Sequence, residues 1–332
     1  MAKKAFDRRV KIVIGKPQID TAAYTVTEEN YVVANRETVF PATTEPAGDI
    51  ISISNTGDNT RGFYFSLDTT RGSAKGGSSS NEKTIIEIAN LNEESLAVLY
   101  QSGCKVMVYL GYKDTPLELY YTGDIYDIRP SSNGLDKIYK ITCKDGAQDA
   151  QNTRVSLSYD ESMSIADIIK DMAGRFPSGS LGTLALDSVE SKFIQGGVNF
   201  QGNLERKFDA FCKMHGINYF RYNGKINLQP YQLVNGTPEY LLVGRNTFTL
   251  TEGTIKAIDP IIQNGGKYLD NTNTKRGVQV RLFLTPIEIG DFFTVPPEIS
   301  KELAGTYKTT TTKISVSMPN GDFDITVKGE PM

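Results

Sequence analysis

Apolar and polar residues alternate along much of the chain. Val10, Ile12 and Ile14 share one face of Arg8–Ile14, and the same period of two returns at Ile51 and Ile53 and at Phe63, Phe65 and Leu67. Ile85–Ala89, Cys104–Leu110, Leu117–Arg129, Val278–Leu284, Ile287–Val295 and Gly305–Ser317 continue it, so the pattern predicts a chain dominated by half-buried strands. Leu117–Arg129 is long enough for one strand of a curved sheet, with Gly123 expected to mark a bulge where it bends. Asn-Gly pairs separate strand-like segments at Asn133-Gly134, Asn223-Gly224 and Asn320-Gly321. A type I′ turn needs positive φ at both central residues, which Asn-Gly supplies at low steric cost, so each pair predicts a hairpin.

Three segments carry a helical period instead. Asn92 is placed to cap a short helix over Glu93–Gln101, with Leu91 and Leu96 at hydrophobic-staple positions and Gly103 closing it. Ser164 and Asp167 form a capping box ahead of Ile165, Ile168, Ile169 and Met172, a stripe that Gly174 ends. A further helix starting near Asn203 places Leu204, Phe208, Phe211 and Cys212 on one face and stops at Gly216. The latter two helices and the Asn223-Gly224 hairpin predict a small α+β domain over approximately 153–243.

Between Thr69 and Glu82 the sequence TTRGSAKGGSSSNE has no apolar residue larger than alanine. Burial cannot offset its ordering entropy, which predicts a mobile loop. Near the other end, Ile325-Thr326-Val327-Lys328 echoes Ile141-Thr142-Cys143-Lys144, each closing an Asn-Gly hairpin. Such an echo fits either a duplicated β unit or the chance likeness of two short hairpins.

Composition narrows the function. At 332 residues the chain exceeds what one hydrophobic core sustains, so two or three domains are expected. No apolar run approaches the length of a membrane span, and Lys11 interrupts the short apolar patch behind the basic amino terminus. That start, with Lys3, Lys4, Arg8 and Arg9, reads as a solvated terminus leading into a strand, and the chain as soluble. A net charge of −3 from 36 basic and 39 acidic residues gives no basic excess for nucleic-acid binding. There is one histidine, which removes most histidine-based catalytic and zinc arrangements. Cys104, Cys143 and Cys212 are odd in number and lack CxxC spacing, so they read as reduced core residues.

Each candidate for chemistry has a plainer reading. His215 follows Cys212 by three residues, a spacing that brings them to adjacent helical turns, but no carboxylate is placed to orient the imidazole. The pair reads as a core thiol and a helix-end histidine. Gly72–Gly77, beside Arg71 and Lys75, matches neither GxxxxGK[ST] nor GxGxxG and reads as a contact loop rather than a phosphate cradle. Asp124 and Asp127 differ by an odd number along a strand and face opposite sides, so they make no glycosidase pair. With tryptophan absent, the 17 Tyr and 15 Phe must supply the sheet and core aromatics before any stacking platform. No catalytic, metal-binding or cofactor-binding residue is assigned, and no cofactor is expected.

The runs TIIEIANLNEESLAVL, GCKVMVYLGYKDTPLELYYTGDIYDIRP and NGLDKIYKITCKDGAQDA resemble the tube-like β-barrel domain of baseplate hub proteins of contractile-tailed phages and related injection systems. SMSIADIIKDMAGRF and NFQGNLERKFDAFCKMHGINYFRYNGKINLQP are similar to the small domain that these hubs carry between barrels. GVQVRLFLTPIEIGDFFTV and AGTYKTTTTKISVSMPNGDFDITVKGEP look like the second barrel. The resemblance spans roughly 85–330 and rests on soft patterns and domain order. It implies a mainly-β fold: a first tube-like barrel over 1–152, a small α+β domain over 153–243 and a second tube-like barrel over 244–332. It also implies a homotrimeric virion hub adapting a six-fold tail tube to a three-fold central spike, with other baseplate subunits and a tape measure as partners. DNA would only pass through the lumen, with no membrane insertion. Arg71, Gly72, Lys75, Gly76 and Gly77 are the candidate partner-contact loop. A tail-associated cell-wall hydrolase and a glycan-binding β protein are the alternatives.

Overall fold

A computed structural model of the chain describes residues 8–15, 50–55, 64–72, 83–113, 115–146, 153–177, 180–222, 224–234, 237–240, 246–261 and 277–331. The fold is mainly β, as the alternation predicts. The first β unit comprises β1 (Arg8–Gly15), β2 (Ile50–Ser54), β3 (Phe65–Gly72), β4 (Lys83–Ala89), β5 (Lys105–Tyr112), β6 (Glu118–Asn133) and β7 (Asp136–Lys144), with α1 (Glu93–Leu99) between β4 and β5. Asn92 caps α1 by accepting the Ser95 N–H at 2.8 Å. The last β unit comprises β14 (Thr247–Thr249), β15 (Ile255–Ile261), β16 (Gly277–Phe283), β17 (Phe292–Val295), β18 (Gly305–Met318) and β19 (Phe323–Pro331).

These two units have the same strand order. In the first, neighbours run β3-β4-β7-β6-β5; in the last they run β15-β16-β19-β18-β17. The echoing tetrapeptides fall on β7 and β19, which hold the same place in the two arrays, so the echo marks a repeated unit and not merely two similar hairpins.

The sequence reading sets the two units apart, on either side of the α+β segment. In the structure they join edge to edge into one 13-stranded sheet, because β18 is long enough to pair with β17 at its start and β3 at its end. The sheet curls until its far parts meet through side chains. Arg8 Nη1 donates to the Gly321 carbonyl at 2.8 Å, and the Tyr112 and Phe323 rings pack edge to face with centroids 5.4 Å apart. One apolar core, including Ile12, Val108 and Ile141 from the first unit and Val280, Ile314 and Ile325 from the last, fills the curl.

The intervening segment builds its own core. Here β8 (Arg154–Tyr159) pairs with β10 (Val198–Asn203), and β9 (Ser180–Leu184) runs parallel to β12 (Lys225–Val234), which also pairs with β11 (Ile217–Tyr222) and β13 (Thr237–Tyr240). Helices α2 (Ile165–Gly174) and α3 (Leu204–Met214) pack on them. Ser164 accepts the Asp167 N–H at 3.1 Å and Asn203 accepts the Arg206 N–H at 3.0 Å, the two predicted caps. Ile168, Ile169 and Met172 of α2 and Phe208, Phe211 and Cys212 of α3 are buried with Phe176, Phe200 and Tyr219.

Several local expectations change. The Asn133-Gly134 hairpin pairs Asn133 with Asp136, so its two loop residues are Gly134 and Leu135, and Gly134 at φ 64 stands first, as in a type II′ turn. At Asn320-Gly321 the ladder closes at Val316 with Phe323, leaving a wider loop in which Pro319 has no N–H to donate. Tyr222 pairs with Lys225 around Asn223-Gly224, the predicted two-residue loop, of which Asn223 lies outside the described residues. Gly123 stays in register opposite Val106; the shifts in β6 lie opposite Val108/Tyr109 and at Ile125/Asp127. Its lack of a side chain makes room for Tyr121, whose Cζ would stand 2.8 Å from an added Cβ. Ile287–Val295 is strand only from Phe292: Gly290 takes φ 87 and the Asp291 carboxylate accepts the Glu288 N–H at 2.7 Å, which makes the first part a turn.

Candidate assembly interface

β5 reads KVMVYLGY and is buried on both faces. Val106, Val108 and Leu110 face the curled core; Lys105 and Met107 face the other way, beside Asp124 and Thr122 of β6. That outer face is covered by the β11–β12 hairpin, since a Cβ on Gly224 would meet Thr122 Cγ2 at 3.3 Å. Lys105 and Asp124 are buried together, Nζ to Oδ1 3.5 Å.

Charged side chains gather where the α+β unit meets the sheet. The Gly224 N–H donates to Asp145 Oδ2 at 2.9 Å, and Arg221 lies against Gly146. Behind Arg221, its Nε donates to the Tyr219 hydroxyl at 2.6 Å, which donates to Glu205 Oε1 at 3.2 Å, while Arg221 Nη2 and Glu205 Oε2 stand 3.5 Å apart. Burial pushes the Asp145 carboxyl above its usual value, against the lowering pull of the Gly224 N–H and of Arg221, Arg71 and Lys105. Burial likewise pushes the Tyr219 hydroxyl up. Among the described residues a third, small apolar cluster, Phe220 with Ile289, adds a link between the α+β segment and the last β unit. At this polar junction Arg221 and Lys105 are buried and Asp145 is partly so, and ion pairs of this kind add little net stability.

The predicted contact loop divides. Thr69–Gly72 belongs to β3, paired with Thr311–Ile314 of β18, and residues 73–82, with Lys75, Gly76 and Gly77, lie outside the described residues. Arg71 is 1% exposed, with its guanidinium 5.1 Å from the centre of the Tyr121 ring, so it serves the interior of the first unit rather than a loop. Pairing with a strand remote in sequence overrides the local Gly and Ser content at this end. Asp124 is buried against Lys105 and Asp127 pairs at 2.6 Å with the exposed Arg129; the register shift at Ile125/Asp127 sets the two carboxylates opposite Lys144 and Thr142 on one face, whereas the odd spacing predicts opposite faces. Cys212 is buried and its thiol is pushed well up by burial. His215 caps the end of α3 with its ring 4.6 Å from that of Phe211, and burial together with Lys192 lowers its pKa. Among the described residues no three His, Cys, Asp or Glu side chains group as a metal site, and no helix is long and apolar enough to cross a membrane.

Sequence reasoning missed the Asp145 cluster, which draws on β3, β5, β11 and the end of β7. One signal was available: Arg221, Asn227 and Gln229 are polar residues among the apolar ones of β11 and β12, and all three are buried.

No family model and no curated protein sequence matches the chain. Its architecture does match solved structures. The tail protein from Neisseria meningitidis MC58 superposes with a TM-score of 0.52 at 11% identity, over 80% of this chain and 91% of that one. The 43 kDa tail protein of prophage MuSo2 from Shewanella oneidensis gives 0.52 at 11%, over 86% and 94%. A chain of the Francisella PdpA-VgrG complex in its lidded form gives 0.56 at 13%, over 99% of this chain and 53% of that one, so this chain spans about half its length. At these identities the likeness is one of fold: the chain has the mainly-β fold of phage tail proteins.

Proposed function

We propose that the chain is a structural hub of a contractile tail or related injection device. Three copies form a ring that adapts a six-fold tail tube to a three-fold central spike and encloses the delivery channel. The observation that carries this reading is the duplicated strand order within one chain: three copies with two equivalent β units each present six similar positions on one side and three on the other. The tail-protein fold supports it.

In this reading the domains divide near 153 and 243, and the Asp145 junction holds the α+β unit at a set angle to the sheet. The tube protein, the spike protein, other baseplate subunits and a tape measure are the partners, and the virion tail baseplate is the location. Lys75, Gly76 and Gly77, which follow Arg71 and Gly72 of β3, contact the adjacent ring. The work is assembly, with no catalytic step, and DNA only passes through. Native mass spectrometry of the chain with its tube and spike proteins tests the proposal: a three-copy species that takes up both supports it, and a stable monomer that binds neither overturns it. A peptidoglycan zymogram separates it from a wall hydrolase, since lysis abolished by changing one acidic residue is incompatible with a purely structural role.

A further inference from the structure

β18 uses one edge twice. β17 pairs with Gly305–Lys308 and β3 with Thr311–Met318, while β19 occupies the opposite edge. Its counterpart β6 pairs with β5 through Glu118–Asp124 and, on the opposite edge, with β7 through Asp124–Asn133. Among the described residues, no strand continues beyond β5 along Tyr126–Asn133. The counterpart of β3 is β15, which pairs with β16 and, among the described residues, has no strand on its other side. We propose that these two edges are the halves of one interface between copies: β15 of one chain pairs with β6 of another, repeating between chains the β3–β18 junction made inside each.

The duplication sets the register. Ile141 pairs with Ile128 as Ile325 pairs with Ile314, so Ile128 corresponds to Ile314. Thr69 reaches Cys143 through Thr84, and Ile258 reaches Val327 through Val280, so Thr69 corresponds to Ile258. Because Ile314 lies opposite Thr69, Ile128 of one copy falls opposite Ile258 of the next. Both isoleucines are only partly buried in the single chain, packed at the margin of the core. The same register puts Pro130 opposite Ile255, and the shift at Ile125/Asp127 sets Pro260 against the Ile125–Tyr126 bulge. The two residues without a donor thus mark the ends of a short ladder, a position proline tolerates. Asp127 falls opposite Asp259, with Arg129, which already holds Asp127 at 2.6 Å, as the neighbouring cation.

The contact is head to tail, so its repetition closes a ring or runs on as a filament. The count of three copies rests on the proposed function; the strand pairing rests on the duplication. Single variants I128C and I258C, purified separately, mixed and treated with a short bis-maleimide, test it; the native cysteines are buried. The expected result is a covalent dimer in the mixture, little in either variant alone, and a ladder of oligomers from a chain carrying both substitutions. No dimer in the mixture, or equal dimer in each variant alone, overturns the pairing. Linked copies that bind neither tube nor spike protein keep the pairing and overturn the hub reading, whereas rings of unlinked copies do the reverse.

Discussion

Ile314 of β18 lies directly opposite Thr69 of β3, and through this register two β units remote in sequence become one sheet with one core. Ile314 is 1% exposed, and truncating it leaves a cavity on the seam. Ile314→Ala is expected to destabilise the chain by about 2–5 kcal/mol. In hydrogen exchange, amides of β3 and β18 should lose protection together. Loss confined to β18 contradicts a shared seam.

The α+β unit is docked through Asp145, whose carboxylate accepts the Gly224 N–H beside Arg221. Asp145→Ala and Arg221→Ala should therefore couple. A double-mutant cycle read by chemical denaturation is expected to give an interaction free energy of roughly 0.5–3 kcal/mol, the range for residues sharing one network. Additive effects indicate that the two side chains do not communicate.

His215 is the sole histidine, and its pKa is lowered from 6.5 by burial and by Lys192. The unfolded chain therefore binds this proton more readily than the folded one. Its contribution to stability is full above pH 6.5 and is lost as pH falls towards and through the folded value. Comparing unfolding of the parent and His215→Gln across mildly acidic pH isolates this from the carboxylates. The difference between them should shrink as pH falls, and a constant difference contradicts a partly buried imidazole held neutral.

Local devices give two further outcomes. Ser164→Ala removes the oxygen that accepts the Asp167 N–H, and a loss of about 1 kcal/mol is expected. Gly329→Ala forces a methyl group against Phe293 Cζ at 2.6 Å and Tyr307 Cβ at 2.7 Å, and overpacking of about 1–3 kcal/mol follows. Thermal unfolding of both variants reads these costs, and a neutral Gly329→Ala means that the Phe293 and Tyr307 rings move aside freely.

Strands and caps were legible because they depend on near neighbours: Asn92, Ser164 and Asn203 each cap the helix that follows them. The echo between Ile141–Lys144 and Ile325–Lys328 pointed to a repeat but not to how its halves meet, since the β3–β18 ladder joins segments remote in the chain. Arg71 shows the same limit. Its glycine-rich surroundings suggest a loop, yet it is drawn into β3 by Thr312 and over the Tyr121 ring. The Asp145 cluster takes residues from four places that no spacing rule connects. The prolines of β6 and β15 were plain in the sequence, but their meaning as ends of a ladder depends on the strand order.

Electron microscopy of the chain assembled with its tube and spike proteins tests the hub most directly. The account predicts a ring of three copies in which six β units alternate first, last, first around the channel, with the tube on one face and the spike on the other. A particle in which the chain is present as an isolated monomer, or lies outside the tube–spike axis, contradicts it.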